Sequence, residues 1–159
     1  MTLVRRAVLA DAAGIAAVHV ASWESTYSDV LPEAYLAARP EAVRLAFWTD
    51  VLRENDPAVC VFVAYFEDDS VCGFASGGPG ELYSLYLLDS AHGLGLGRRL
   101  VEAVLEALRG PVLVWVLSVN PARGFYEHLG GRLLEEKRVN MGGEIFTEVA
   151  YDLGSHRGV

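Results

Sequence analysis

Leu85-Tyr86-Leu87-Leu88-Asp89-Ser90-Ala91-His92-Gly93-Leu94-Gly95-Leu96-Gly97 passes from an apolar segment into a glycine-rich turn, and Arg98 and Arg99 follow. Glu81 to Leu88 fits a strand. Gly95 to Leu108 fits a helix, because Leu100, Val101, Val104, Leu105 and Leu108 share one apolar face. The first turn of a helix leaves N–H groups unpaired, and its dipole end favours negative charge. Gly93, Gly95 and Gly97 remove the side chains that would keep a pyrophosphate away from those amides. Two better-known phosphate motifs fail on spacing. A G-x-G-x-x-G fingerprint beginning at Gly93 would need glycine where Arg98 stands, and a P-loop needs Gly-Lys-Ser/Thr where Gly97 is followed by Arg98 and Arg99. Two readings remain: an anion cradle at a helix start, or a turn whose glycines only let helix and strand pack closely.

Upstream of that turn, Leu3 to Val8 reads as a strand. Asp11 then offers an N-cap to a helix in which Ala12, Ala16, Val20, Trp23 and Tyr27 recur at helical spacing. Pro32 starts a short second helix, and Glu41 to Leu52 forms a third, with Leu45 and Trp48 among its apolar positions. Val59 to Phe66 and Val71 to Ser76 are two strands joined by the acidic turn Glu67-Asp68-Asp69-Ser70. Downstream, the apolar run Val112 to Leu117 fits a strand buried on both faces. A short helix from Ala122 to Leu129 stops at Gly130-Gly131. Strands Arg132 to Val139 and Glu144 to Leu153 flank the hairpin turn Asn140-Met141-Gly142-Gly143. The order β-α-α-α-β-β-β-α-β-α-β-β predicts an α/β domain with a mixed, mostly antiparallel sheet. One domain over 1–153 and a polar tail over 154–159 are expected.

Composition narrows the function classes. The formal net charge of −8 argues against a phosphate-backbone partner, so no nucleic acid is expected, and it suits a cationic substrate such as an amine. Asp, Glu, Arg or Gly interrupts every apolar run before it reaches the length of a membrane span. The start, Met1-Thr2-Leu3-Val4-Arg5-Arg6, lacks the apolar region of a signal peptide, so a cytoplasmic location is expected. Cys60 and Cys72 sit in apolar strand segments, too few for a metal site or a disulfide framework, and are expected as buried thiols. His19, His128 and His156 show no partner pattern and are read as surface or packing residues.

A second stretch, Asn120-Pro121-Ala122-Arg123-Gly124-Phe125-Tyr126-Glu127-His128-Leu129-Gly130-Gly131, lies one helix and one strand beyond the glycine turn. Together with Leu85 to Gly97 it resembles the GNAT-type N-acetyltransferase family. There a strand precedes Gln/Arg-x-x-Gly-x-Gly/Ala, and an Asn…Phe-Tyr…Leu-Gly segment follows at this distance. The element order resembles that family across nearly the whole chain, which implies its α+β sheet flanked by helices. His92 departs from the pattern, standing where the family has Gln or Arg; imidazole still offers a hydrogen bond to a phosphate.

The resemblance implies acetyl-CoA as the acyl donor and no metal. The backbone of Gly93, Leu94, Gly95, Leu96, Gly97 and Arg98 would hold the pyrophosphate beside His92. The backbone near Tyr86 and Leu87 would pair with the pantetheine arm like a further strand. Asn120 would line that arm, and Arg123 is placed to reach a phosphate. Acyl transfer to an amine needs a neutral nucleophile, stabilisation of the oxyanion, and a proton for the leaving thiolate. Tyr126 corresponds to the family's tyrosine beside the thioester sulfur, a general acid. Glu81, fourteen residues before Gly95, stands where some members place a catalytic base, and others use ordered water. Ser22 to Tyr27 followed by Leu31-Pro32 resembles a subgroup whose first helices border the acceptor. Trp23 and Tyr27, at i and i+4, together with Tyr83 on the strand, are therefore substrate-binding candidates.

The function implied is transfer of acetyl from acetyl-CoA to a primary amine of a small molecule or peptide, and the resemblance also admits a homodimer. Two other classes compete with it: a non-catalytic acyl-CoA sensor, and a phosphate-binding regulatory domain unrelated to CoA. Asn120, Tyr126 and Glu81 favour the enzyme, because a pure sensor needs none of them.

Overall fold

The computed structural model describes residues 3–154. Its strands are β1 (Val4–Arg6), β2 (Cys60–Tyr65), β3 (Val71–Gly78), β4 (Glu81–Leu87), β5 (Leu113–Leu117), β6 (Arg132–Met141) and β7 (Glu144–Asp152). Its helices are α1 (Ala12–Tyr27), α2 (Glu33–Ala37), α3 (Glu41–Glu54), α4 (Leu96–Leu108) and α5 (Ala122–His128), with single 3-10 turns at Leu9–Asp11 and Asp89–Ala91. The order is the one expected from sequence. The strands form one sheet in the order β1-β2-β3-β4-β5-β7-β6, antiparallel throughout except between β4 and β5.

Strand alternation sorts side chains into two apolar layers. Cys60 and Ala64 of β2 face Leu96, Leu100 and Val104 of α4, whereas Val61 and Val63 face Ile15, Val18 and Trp48 of α1 and α3. Each fully buried Val, Leu, Ile or Phe contributes roughly 1.5–3 kcal/mol by leaving water. Cys60 and Cys72 are buried free thiols, and burial pushes both above the usual thiol range. No helix among the described residues is long and apolar enough to cross a membrane, and no cluster of His, Cys, Asp or Glu there suits a metal.

Three local expectations are corrected. Leu45 points to solvent, while Trp48 alone of that pair enters the core. The apolar run before Asn120 is not buried evenly. Val112, Val114 and Val116 are buried, whereas Leu113 and Trp115 on the alternate face are half-buried, with the Lys137 ammonium 4.1 Å from the Trp115 ring centre. Asp11 occupies the N-cap position of α1 but makes no capping bond. Its carboxylate instead accepts two hydrogen bonds from the Arg5 guanidinium, at 2.8 and 3.0 Å, and one from the Val8 N–H at 2.8 Å.

Burial alone would raise the Asp11 pKa, but Arg5 and the Val8 N–H outweigh it and hold the carboxyl below its usual range. A depressed folded-state pKa contributes stability above the unfolded value, lost as pH falls through the folded one. Asp11→Ala is therefore expected to cost about 2 kcal/mol at pH 7, the order of a lost charged hydrogen bond with a donor left unpaired. The cost should shrink towards pH 2, which urea melts of both proteins at the two pH values would measure.

Candidate functional site

The parallel pair is where the sheet opens. β4 and β5 are in register only at Glu81 with Leu113 and Leu82 with Val114; beyond these pairs they diverge. A bulge accompanies the divergence, since Leu82 faces Gly77 and Ser84 faces Ser76, leaving Tyr83 without a partner across the ladder. The splayed strands form the sides of a cleft of about 800 Å³, with Leu85 to Leu87 on one wall and Val114 to Leu117 on the other. His92, Gly93, Gly95, Gly97 and Arg98 lie on its wall at the start of α4, and Asn120 and Tyr126 close it from α5 and the loop before it.

The three glycines do different things. Gly93 and Gly95 have φ of +79° and +76°, the left-handed region where glycine carries no steric cost, and a Cβ at either would meet nothing within 4 Å. Gly97 has ordinary helical backbone, but a Cβ there would come within 3.3 Å of the Phe125 ring and 3.4 Å of Leu87. Close packing thus describes Gly97, whereas Gly93 and Gly95 serve the left-handed backbone of the turn. Gly95 is the N-cap of α4, and no side chain caps that helix end. Its first amides are left for a ligand or water. Leu94, expected in the cradle, is 59% exposed and is not among the residues lining the cleft.

Tyr126 is 4% exposed and lines the cleft, and its hydroxyl makes no hydrogen bond to a described residue. Burial, followed by the neighbouring Tyr86 and Tyr27, raises its pKa beyond the ordinary tyrosine range, so the phenol keeps its proton. Tyr27 is buried on the same cleft; its hydroxyl accepts a 2.7 Å hydrogen bond from Asn120 Nδ2, and burial raises its pKa likewise. Asn120 Oδ1 accepts the Ala122 N–H at 2.8 Å, so this side chain fixes the start of α5 as well as the cleft wall. Trp23, half-buried, packs edge-on against Tyr27 at 5.1 Å and borders the cleft. Ser22 Oγ donates to the Leu87 carbonyl at 3.2 Å, and Ser25 Oγ donates to Asp89 at 2.9 Å, tying α1 to the strand end and the turn.

Two expected residues stand apart. Arg123 does not line the cleft: its Nε donates to the Tyr151 hydroxyl at 3.0 Å and its Nη1 to the Ser118 carbonyl at 3.2 Å. Glu81, at the paired start of β4, is half-buried and does not line the cleft, whereas Tyr83, 52% exposed, does. Sequence reasoning missed Glu148 on β7, a carboxylate on the cleft wall opposite Leu117 in register. No local signal marks it, because one acid in a strand reads as a solvent-facing position. His19 is a packing residue, as read, but a buried one. It stacks on Tyr86 at 5.1 Å and accepts the Trp48 indole N–H at 3.1 Å, and burial, then Arg44, lowers its pKa to about 3. His156 lies outside the described residues.

Residues 20–131 match the model of the acetyltransferase (GNAT) family. The chain belongs to that family. It is 35% identical to an uncharacterized N-acetyltransferase of Bacillus subtilis (strain 168), YuaI, over 94% of this chain and 91% of that one. Among solved structures, the GCN5-related N-acetyltransferase from Rhodopseudomonas palustris superposes with a TM-score of 0.77 at 22% identity, covering 97% of this chain and 98% of that one. The yncA protein of Salmonella typhimurium, solved with its cofactor acetyl-CoA, gives 0.70 at 19% identity over 98% and 95%. At these identities the solved structures share the fold with this GNAT chain: the seven-stranded, mostly antiparallel sheet flanked by helices.

Proposed function

We propose that this chain transfers an acetyl group from acetyl-CoA to a primary amine of a small molecule or peptide. The observation that carries the reading is the splayed β4–β5 cleft ending on the uncapped start of α4, with a buried, protonated Tyr126 on its wall. The fit to acetyl-CoA rests on the same features: backbone amides for an anion, left-handed glycines with open space around them, and strand edges where an extended chain can lie. Acetyl-CoA supplies the activated acetyl group when bound. Gly93 to Arg98 would hold its phosphates, with His92 and Arg98 beside them. Tyr86 and Leu87 would present main-chain groups to the pantetheine arm, although the Leu87 carbonyl already accepts Ser22.

In the reaction the amine nitrogen bonds to the acetyl carbon as the carbon–sulfur bond breaks. Tyr126 gives its proton to the departing sulfur, and a carboxylate takes one from the amine. Asp89 and Glu148 are both carboxylates on the cleft wall, but Asp89 already accepts the Ser25 hydroxyl. That leaves Glu148 as the base, with Glu81, outside the cleft, as the alternative acting through a water. A sensor would require no protonated phenol at this wall, so the enzyme reading is preferred.

The test is thiol release from acetyl-CoA across a panel of amines, amino acids and peptide N-termini. Release with at least one acceptor is expected, and none with any would sink the reading. With that acceptor, Glu148→Gln should lower turnover about 100-fold, the lower range for a general base. Glu81→Gln should lower it less; the reverse order would assign the base to Glu81.

A further inference from the structure

A second cavity, of about 430 Å³, lies between α1, α3 and the bulged part of β4. It shares Trp23, Tyr83, Ser84 and Tyr86 with the cleft, so these four residues stand between the two spaces at the bulge. Its far wall is apolar, built by Phe47, Trp48 and Val51. Into it faces Arg44 of α3, half-buried, its Cζ 5.0 Å from the centre of the Trp23 ring.

Arg44 has no acid to answer it. Among the described residues no carboxylate lies within 4.0 Å of its guanidinium, and its buried Nε has no hydrogen-bond partner. The indole N–H of Trp23 beside it is likewise buried without a well-formed bond, although it interacts with the Tyr86 hydroxyl. Burying part of a cation and leaving its donors unpaired is costly, and an incoming anion offsets that cost. The acids lining the same cavity do not fill the role. Glu54 lies ten residues along α3 from Arg44, about 15 Å of helix rise. Asp56 is exposed and already accepts the Ala58 N–H at 2.9 Å. His19, the other basic side chain there, is neutral at working pH, so the positive charge facing this cavity is that of Arg44.

We infer that the acceptor amine also carries a carboxylate: a free amino acid whose carboxylate pairs with Arg44, whose apolar side chain lies against Phe47, Trp48 and Val51, and whose amine reaches the cleft past Tyr83 and Ser84. The inference rests on the acetyltransferase reading and names the substrate class for it. Arg is suited to this, because its planar fork matches a carboxylate with two parallel hydrogen bonds.

Thiol release from acetyl-CoA is measured with phenylalanine, leucine and methionine and with the three amines that lack the carboxylate: phenethylamine, isoamylamine and 3-(methylthio)propylamine. At least one amino acid should exceed its matched amine in kcat/KM by about 10-fold or more. Arg44→Gln should bring the pair towards parity through a roughly 10- to 100-fold rise in KM for the amino acid, the size of a charged hydrogen bond. Arg44→Lys should recover part of that rise, and quenching of Trp23 and Trp48 fluorescence by the amino acid should weaken in the same order. Equal turnover of acid and amine by the wild type, an unchanged ratio in Arg44→Gln, or no amino acid bound or acetylated while acetyl-CoA still raises the melting temperature would each overturn the inference. Loss of that acetyl-CoA effect in the wild type would instead overturn the donor reading beneath it.

Discussion

Gly95→Glu is expected to abolish the rise in melting temperature that acetyl-CoA gives the wild-type chain. At a hundredfold excess over Kd a ligand stabilises by about 2.7 kcal/mol, roughly 5–10 °C for a chain of this size. The substitution puts a carboxylate at the N-cap of α4, beside the amides that are otherwise open to an anion. Like charge at close range then opposes the phosphates, and a Cβ stands in space that is empty at present. A second cost must be separated from this one. Gly95 has φ of +76°, so any side chain there strains the backbone and lowers the melting temperature of the unliganded protein. Gly80 supplies the control, because it has the same φ of +76°, open space for 4 Å around the position a Cβ would take, and no place on the cleft wall. Gly80→Glu should lose similar intrinsic stability yet keep the whole acetyl-CoA shift. A Gly95→Glu protein that also keeps the shift would remove the cradle from the α4 start.

The contrast between those glycines shows what the sequence could carry. An apolar strand segment, a glycine turn and a period-3.6 face suffice to place β4, the turn and α4, because each signal is local. The end of β4–β5 pairing is not local: it depends on the bulge at Tyr83, which slips the register against β3, and no residue type announces it. Asp11 was legible as a cap by residue type, but Arg5, six residues earlier, offers a bidentate partner that the first amides of α1 cannot match. Arg123 sits inside a motif that contacts phosphate by resemblance, while its guanidinium is taken up by Tyr151 and the Ser118 carbonyl across the fold. Glu148 and Arg44 were illegible for the opposite reason. A single charge on a strand or helix reads as a solvated face, and only the tertiary packing turns these two inward. The proposed donor half of the site is built from backbone and glycine, which leave a pattern; the proposed acceptor half is built from scattered side chains, which do not.

Tyr126→Phe is expected to lower turnover by about 100- to 10,000-fold, the range a positioned general acid contributes, with the acetyl-CoA thermal shift intact. Burial is the first reason. Tyr126 is 4% exposed, on α5, and its ring lies 5.5 Å from Phe125 and 6.3 Å from Tyr151, so phenylalanine retains the packing and loses only the hydroxyl. That hydroxyl bonds to no described residue, so its removal orphans no partner and stability should change little. The same burial holds the phenol protonated above the ordinary tyrosine range. A raised pKa keeps the acid form available as pH climbs, so the rate should not fall at alkaline pH through ionisation of Tyr126. Any fall seen below pH 10 belongs to another group. Turnover rising from acid pH and then level to pH 10, in a wild type whose Phe variant is slow but binds donor normally, is the combination expected. Full activity in the variant would take the acid role from Tyr126 and leave it a packing residue. A variant that loses donor binding along with turnover would make the tyrosine part of the cleft's shape, since a proton donor to the leaving sulfur acts after the donor is already held.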